Sequence, residues 1–87
     1  MPKPRNQFGE KNLVGKRIKA LRITANLSQR DLASRLQLMG LDMDKNVITR
    51  IETCNRYVSD FELQAFARLF DVSYDFLIDG KENRKQG

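Results

Sequence analysis

The sequence predicts an all-α fold, a compact bundle of five short helices. Three observations predict it. Apolar residues recur at three- and four-residue spacing in one segment after another. Ser28 and Asp31, and again Ser59 and Glu62, form the pattern in which a serine oxygen accepts a backbone N–H at a helix start. No strand pattern of useful length is present.

The first helix is expected over residues 13–25. Val14, Ile18, Leu21 and Ala25 share a stripe, while Lys16, Lys19 and Ile23 lie largely outside it. Lys16, Arg17 and Lys19 either approach phosphate or are merely solvated. Asn26 and Leu27 close the helix and lead to the Ser28 cap. The second helix then begins at Gln29. Leu32, Leu36 and Met39 recur at helical spacing with Ala33 on the same side, and Gln29, Arg30, Ser34, Arg35 and Gln37 fall on the other. Gly40 is its stop, because glycine accepts the left-handed conformation at a helix end.

A third helix is expected over about 45–53, capped by Asp44, whose charge suits the positive helix end. Ile48 and Ile51 face inward with Val47 flanking them, which leaves Lys45, Asn46, Thr49 and Arg50 pointing outward. Those four suit base edges: Arg and Lys donate to guanine, Asn pairs with adenine, and Thr bonds either way or touches the thymine methyl. An ordinary solvated face has the same composition, so the four residues by themselves leave both readings open.

Residues 53–58 form a short loop in which Arg56 and Tyr57 are adjacent, a pair suited to phosphate contact, although a packed tyrosine ring is an equal alternative. The fourth helix starts near Asp60. Its stripe is Leu63, Phe66, Ala67 and Phe70, and Phe61 faces either a partner or the core. The fifth spans about 73–79, capped by Ser73, with Phe76 and Leu77 apolar and Tyr74 and Ile78 candidates for a surface patch. Gly80 ends it.

Eighty-seven residues fit one small domain. Residues 1–12, with two prolines and a glycine, read as a flexible basic arm. In it Lys3 and Arg5 either reach along a groove or belong to a solubilising tail. Residues 81–87 read as a mobile charged tail. The net charge of +5 hides an asymmetry. Residues 1–57 carry twelve lysines and arginines against five acids, +7; residues 58–80 carry one against five, −4; the last seven carry three against one, +2. A positive half and a negative half suggest one face for a polyanion and another turned away from it.

The single cysteine, Cys54, allows no internal disulfide, and without histidine the usual Cys/His zinc site is excluded. Cys54 is either an inert thiol or a redox sensor. No nucleophile stands beside an obvious base, and no glycine loop cradles a phosphate, so neither an enzyme nor a cofactor is expected. No apolar run approaches the ~20 residues of a transmembrane helix, and no signal peptide is visible. A cytoplasmic protein is the resulting expectation.

Taken together, VGKRIKALRITANLSQRDLASRL, VITRIE and NRYVSDFELQAFARLFDVSYDFLIDG resemble the phage repressor/Cro helix-turn-helix family, the XRE-type regulators, over residues 13–80. The most specific parts are LSQ-x-x-LA, ITRIE and DVSYDFL. The resemblance implies a lambda-repressor-like bundle that binds double-stranded DNA, and a transcriptional regulator, most often a repressor. It implies a homodimer paired through the C-terminal helices. It assigns base contact to Lys45, Asn46 and Arg50, with Thr49 beside them, and backbone contact to Gln29, Asn55 and Arg56; Arg30 and Tyr57 are expected at the backbone with them. It also implies a structural ion pair between Arg22 and Glu52. An antitoxin or accessory protein-interaction module would use the same fold, with Phe61, Tyr74 and Ile78 as its surface.

The chain departs from the family twice. The turn inside the helix-turn-helix, residues 38–44, is several residues longer than the three or four usual for the motif. Leu41 and Met43 are apolar, so the insert is expected to fold back on the core. Cys54 stands where the family has a glycine, and Asn55 is the residue expected to take the left-handed conformation there.

Overall fold

Polar side chains start the helices and left-handed residues stop them. The structure, a computed structural model, describes residues 5–81. In it α1 spans Gly15–Thr24, α2 Gln29–Leu38, α3 Lys45–Glu52, α4 Asp60–Phe70 and α5 Tyr74–Asp79, and no strand occurs among the described residues. Ser28 and Ser59 form reciprocal capping boxes with Asp31 and Glu62, Asp44 accepts from the Val47 N–H, and Ser73 accepts from the Phe76 N–H. Helix α1 is shorter than expected, with Val14 at its N-cap and no side-chain cap bond from that residue. The Asn12 Oδ1 accepts from the N–H groups of Val14 and Gly15 at 3.1 and 2.8 Å.

The helix ends share one solution. At α1, α2, α3 and α4 a left-handed residue, respectively Asn26, Gly40, Cys54 and Asp71, lets two N–H groups fold back onto the last turn. At α3, for example, Cys54 donates to the Ile51 carbonyl and Asn55 to that of Arg50. The left-handed residue is therefore Cys54 itself (φ 61°), not Asn55. The bond pattern requires that conformation at the residue directly after the helix cap, and the buried Cys54 occupies that place.

The core gathers around Ile18, Leu32, Leu36, Ile48, Ile51 and Phe66, none of them solvent-accessible. Each such side chain contributes about 1.5–3 kcal/mol on burial. Helix α3 packs on both α1 and α2, and α4 packs on α2 and α5. Met39 does not join the core stripe as expected: it caps α2 and is 42% exposed. Met43 joins the core from the connector, almost fully buried, and Leu41 packs against the same core. The Gln37 Nε2 donates to the Met43 carbonyl at 2.6 Å, which pins the connector to α2. Ala25 is also exposed, and Leu63 and Phe70 are only half-buried, while Ala65 is buried.

Lys3 lies outside the described residues, and so does the tail from residue 82. Arg5 is exposed, but residues 6–12 are not a free arm. The Asn6 side chain accepts from the N–H groups of Phe8 and Glu10. The Lys11 N–H donates to the Cys54 carbonyl at 3.0 Å, and the Asn12 amide donates to the carbonyls of Ile51 and Arg56. This segment is stitched to the loop after α3.

Candidate nucleic-acid interface

Helix α3 is eight residues long and divides cleanly. Ile48 and Ile51 are sealed in the core, while Lys45, Asn46, Thr49 and Arg50 are exposed on the opposite side. Among the described residues, Lys45, Asn46 and Arg50 have no side-chain hydrogen bond or ion pair, so their donors and acceptors face solvent. Their charge and bonding capacity match what major-groove base edges offer.

Thr49 differs from its three neighbours because it closes a buried relay. Glu52 is 5% exposed although it is an acid. Its Oε2 lies 2.6 Å from the Arg22 Nε, and its Oε1 lies 3.1 Å from the Arg22 Nη2. The Arg22 Nη1 also donates to the Leu27 carbonyl at 2.9 Å. The Gln29 Nε2 gives Glu52 Oε1 a further hydrogen bond at 3.1 Å, and the Gln29 Oε1 accepts from the Thr49 hydroxyl at 3.0 Å. One carboxylate thus joins α1, the start of α2 and the exposed face of α3. The hydrogen bond to Glu52 holds the Arg22 guanidinium more firmly protonated than usual, against the opposing effect of burial.

The residues expected at the DNA backbone flank this face. Arg30 is exposed on the first turn of α2, next to the half-buried Gln29. Asn55 is exposed just past α3, with its Nδ2 donating to the Thr53 Oγ1 at 3.0 Å. Arg56 is engaged within the protein. Its Nη1 and Nη2 meet the two oxygens of Glu62 at 2.9 and 3.0 Å, and Nη1 also donates to the Tyr57 carbonyl. Tyr57 is half-buried, with the Lys11 ammonium 5.6 Å from its ring centroid. Sequence reasoning missed two supports of this loop, Asn12 and Glu62. Asn12 carried a readable signal, an asparagine directly ahead of an amphipathic segment. The six-residue separation of Arg56 and Glu62 carries none.

Cys54 is buried under the same loop. Burial, and then the Glu10 carboxylate beside it, push its thiol above the ordinary cysteine range. Among the described residues no group of three or more His, Cys, Asp or Glu side chains is placed to hold a metal ion. No helix among them is long and apolar enough to cross a membrane.

A family model described as a helix-turn-helix domain matches residues 13–75, well over half of the chain. No curated protein and no solved structure matches it.

Proposed function

The chain belongs to the helix-turn-helix domain family, a family of XRE/Cro-like DNA-binding domains, and from that premise we propose that it is a sequence-specific transcriptional regulator, a repressor, acting in the cytoplasm. Helix α3 enters the major groove and reads bases with Lys45, Asn46, Thr49 and Arg50. Gln29, Arg30, Asn55, Arg56 and Tyr57 hold the register on phosphates. The observation that carries this reading is the division of α3, whose apolar side is fully sealed while its four polar outward side chains are exposed. The second hydrogen of the Gln29 amide remains available to a phosphate oxygen.

The protein pairs through α4 and α5. Phe61 is 75% exposed, and with Tyr74 and Ile78 it lines a shallow hollow of about 400 Å³. An apolar patch of this kind suits a twofold contact, which would set two α3 helices in successive grooves about 34–36 Å apart. The same patch favours a second reading, an antitoxin-like or accessory module that docks another protein there. Selection of bound fragments from random DNA tests the first reading. A palindromic motif with one-turn half-site spacing is the expected result. Recovery of unselected sequence, with no gel shift on random or genomic DNA, favours the second.

A further inference from the structure

We propose that Thr49 meets the operator as a hydrogen-bond acceptor, and that Glu52 imposes this polarity through Gln29. The inference rests on α3 being the base-contacting helix. It concerns which hydrogen in the relay goes where.

Glu52 is a buried carboxylate gripped by Arg22, and an ionised carboxylate only accepts. The end of the Gln29 amide facing it must therefore be the NH₂ group, because an amide oxygen there would set acceptor against acceptor. With the nitrogen fixed on Glu52, the amide oxygen is turned toward the Thr49 hydroxyl, 3.0 Å away. A carbonyl oxygen cannot donate, so Thr49 must. The other oxygen near that hydroxyl is the Lys45 carbonyl at 3.1 Å, again an acceptor only. Thr49 has one hydroxyl hydrogen for these two acceptors, and both lie within the protein. What remains on the exposed side of Thr49 is oxygen lone pairs and a methyl group.

In the major groove the donors are the N6 amine of adenine and the N4 amine of cytosine. Guanine shows O6 and N7, and thymine shows O4, all acceptors. Thr49 consequently favours adenine or cytosine at the position it faces, and a guanine there sets lone pair against lone pair. Gln29 is a positioning residue: it holds the hydroxyl hydrogen away from the groove and acts on the base only through Thr49.

The test is selection from random DNA with the wild type and with Thr49→Val, Thr49→Ser and Gln29→Met, alongside their melting temperatures. One base pair of the wild-type motif should have its preference relaxed roughly 2- to 10-fold by Thr49→Val. Thr49→Ser should keep that preference. Gln29→Met should relax the same position and leave the others unchanged. At the Thr49→Val-sensitive base pair, replacing adenine by purine or cytosine by 2-pyrimidinone, which deletes the exocyclic amine, should remove the advantage of the wild type over Thr49→Val, and an advantage that survives that deletion overturns the assigned polarity. So does a motif that Thr49→Val leaves intact, or one that Gln29→Met leaves intact while Thr49→Val alters it. A wild-type protein that selects no motif at any position defeats the base-reading role of α3 itself, and this inference with it. Thr49 is exposed, so its two variants keep the test readable even where Gln29→Met lowers stability.

Discussion

Gly15 lies against the Ile51 carbonyl oxygen so closely that a β carbon on Gly15 would overlap it. The first turn of α1 thus rests on the backbone of α3, and the Asn12 amide donates to the same oxygen at 3.1 Å. Helix propensity alone would have Gly15→Ala stabilise the protein by about 1 kcal/mol. The obstacle is backbone and cannot swing aside, so overpacking decides the sign. A net loss of about 1–3 kcal/mol is expected in chemical denaturation. A gain would show that α1 is not seated on α3 as described.

Arg22→Met should be among the most damaging single changes to stability. It leaves the Glu52 carboxylate buried with only the Gln29 amide for company. Loss of one member of a buried pair costs on the order of 3 kcal/mol or more. Adding Glu52→Met should return part of that loss, and the measurement is a double-mutant cycle of unfolding free energies. Fully additive effects would mean that the two side chains do not interact.

On DNA, Arg50→Ala should lose about 1–3 kcal/mol against the preferred site and relax preference at one base position. Uniform weakening on every sequence would instead place Arg50 at a phosphate. For a dimer making roughly 6–10 phosphate contacts, affinity should fall about 10³–10⁵-fold between 50 and 200 mM salt. Titrations at a series of salt concentrations give both numbers.

Acid should unfold the protein by a route that runs through Glu62 and Asp31. Burial alone would raise the Glu62 carboxyl, but hydrogen bonds from Arg56 and from the Ser59 N–H outweigh it and hold the group below the ordinary glutamate value. The Ser28 N–H does the same for Asp31. Ordinary values are about 4.3 for Glu and 3.9 for Asp. With folded values depressed, the unfolded chain binds more protons as pH falls. Their stabilisation is complete above those ordinary values and disappears as pH drops through the lower folded ones. Glu62→Gln should flatten that acid limb in melting curves taken from pH 6 to 2.5, and an unchanged limb would remove Glu62 from the account.

Cys54 should resist thiol reagents while the protein is folded. Its thiol is buried and pushed upward, and the thiolate is the reactive form. Labelling at pH 8 should be much slower in buffer than in denaturant. Equal rates would expose Cys54 and reopen a redox role.

The helices were legible because their starts are local. Ser28, Asp44, Ser59 and Ser73 each act within three residues, and that spacing can be read from the chain. The inward placement of Ile48 and Ile51 was legible for the same reason. Contacts between distant segments were not. Nothing near Met39 tells that it will stay exposed while Met43 is buried, because the outcome depends on where the connector returns to α2. The attachment of residues 6–12 depends on carbonyls supplied by α3 and its following loop, 39 to 44 positions away. The proline-rich composition pointed to a loose arm, while Asn12 does the fastening and Asn6 ties residues 6–10 to one another. Arg22 and Glu52 could be paired only by resemblance, and nothing in the spacing implied the Gln29 and Thr49 links that extend the pair to the surface.

The connector between α2 and α3 is a spacer of set length: Met43 plugs the interior and its carbonyl is fastened by Gln37. The connector is therefore anchored to α2 and to the core, and on the proposed reading the pitch at which α3 meets a duplex is set by that anchoring. On the proposed reading, a change of target would be written in the identities of Lys45, Asn46 and Arg50, three exposed side chains on which the interior makes no claim. Those positions should be interchangeable in the way that type is interchangeable in a frame.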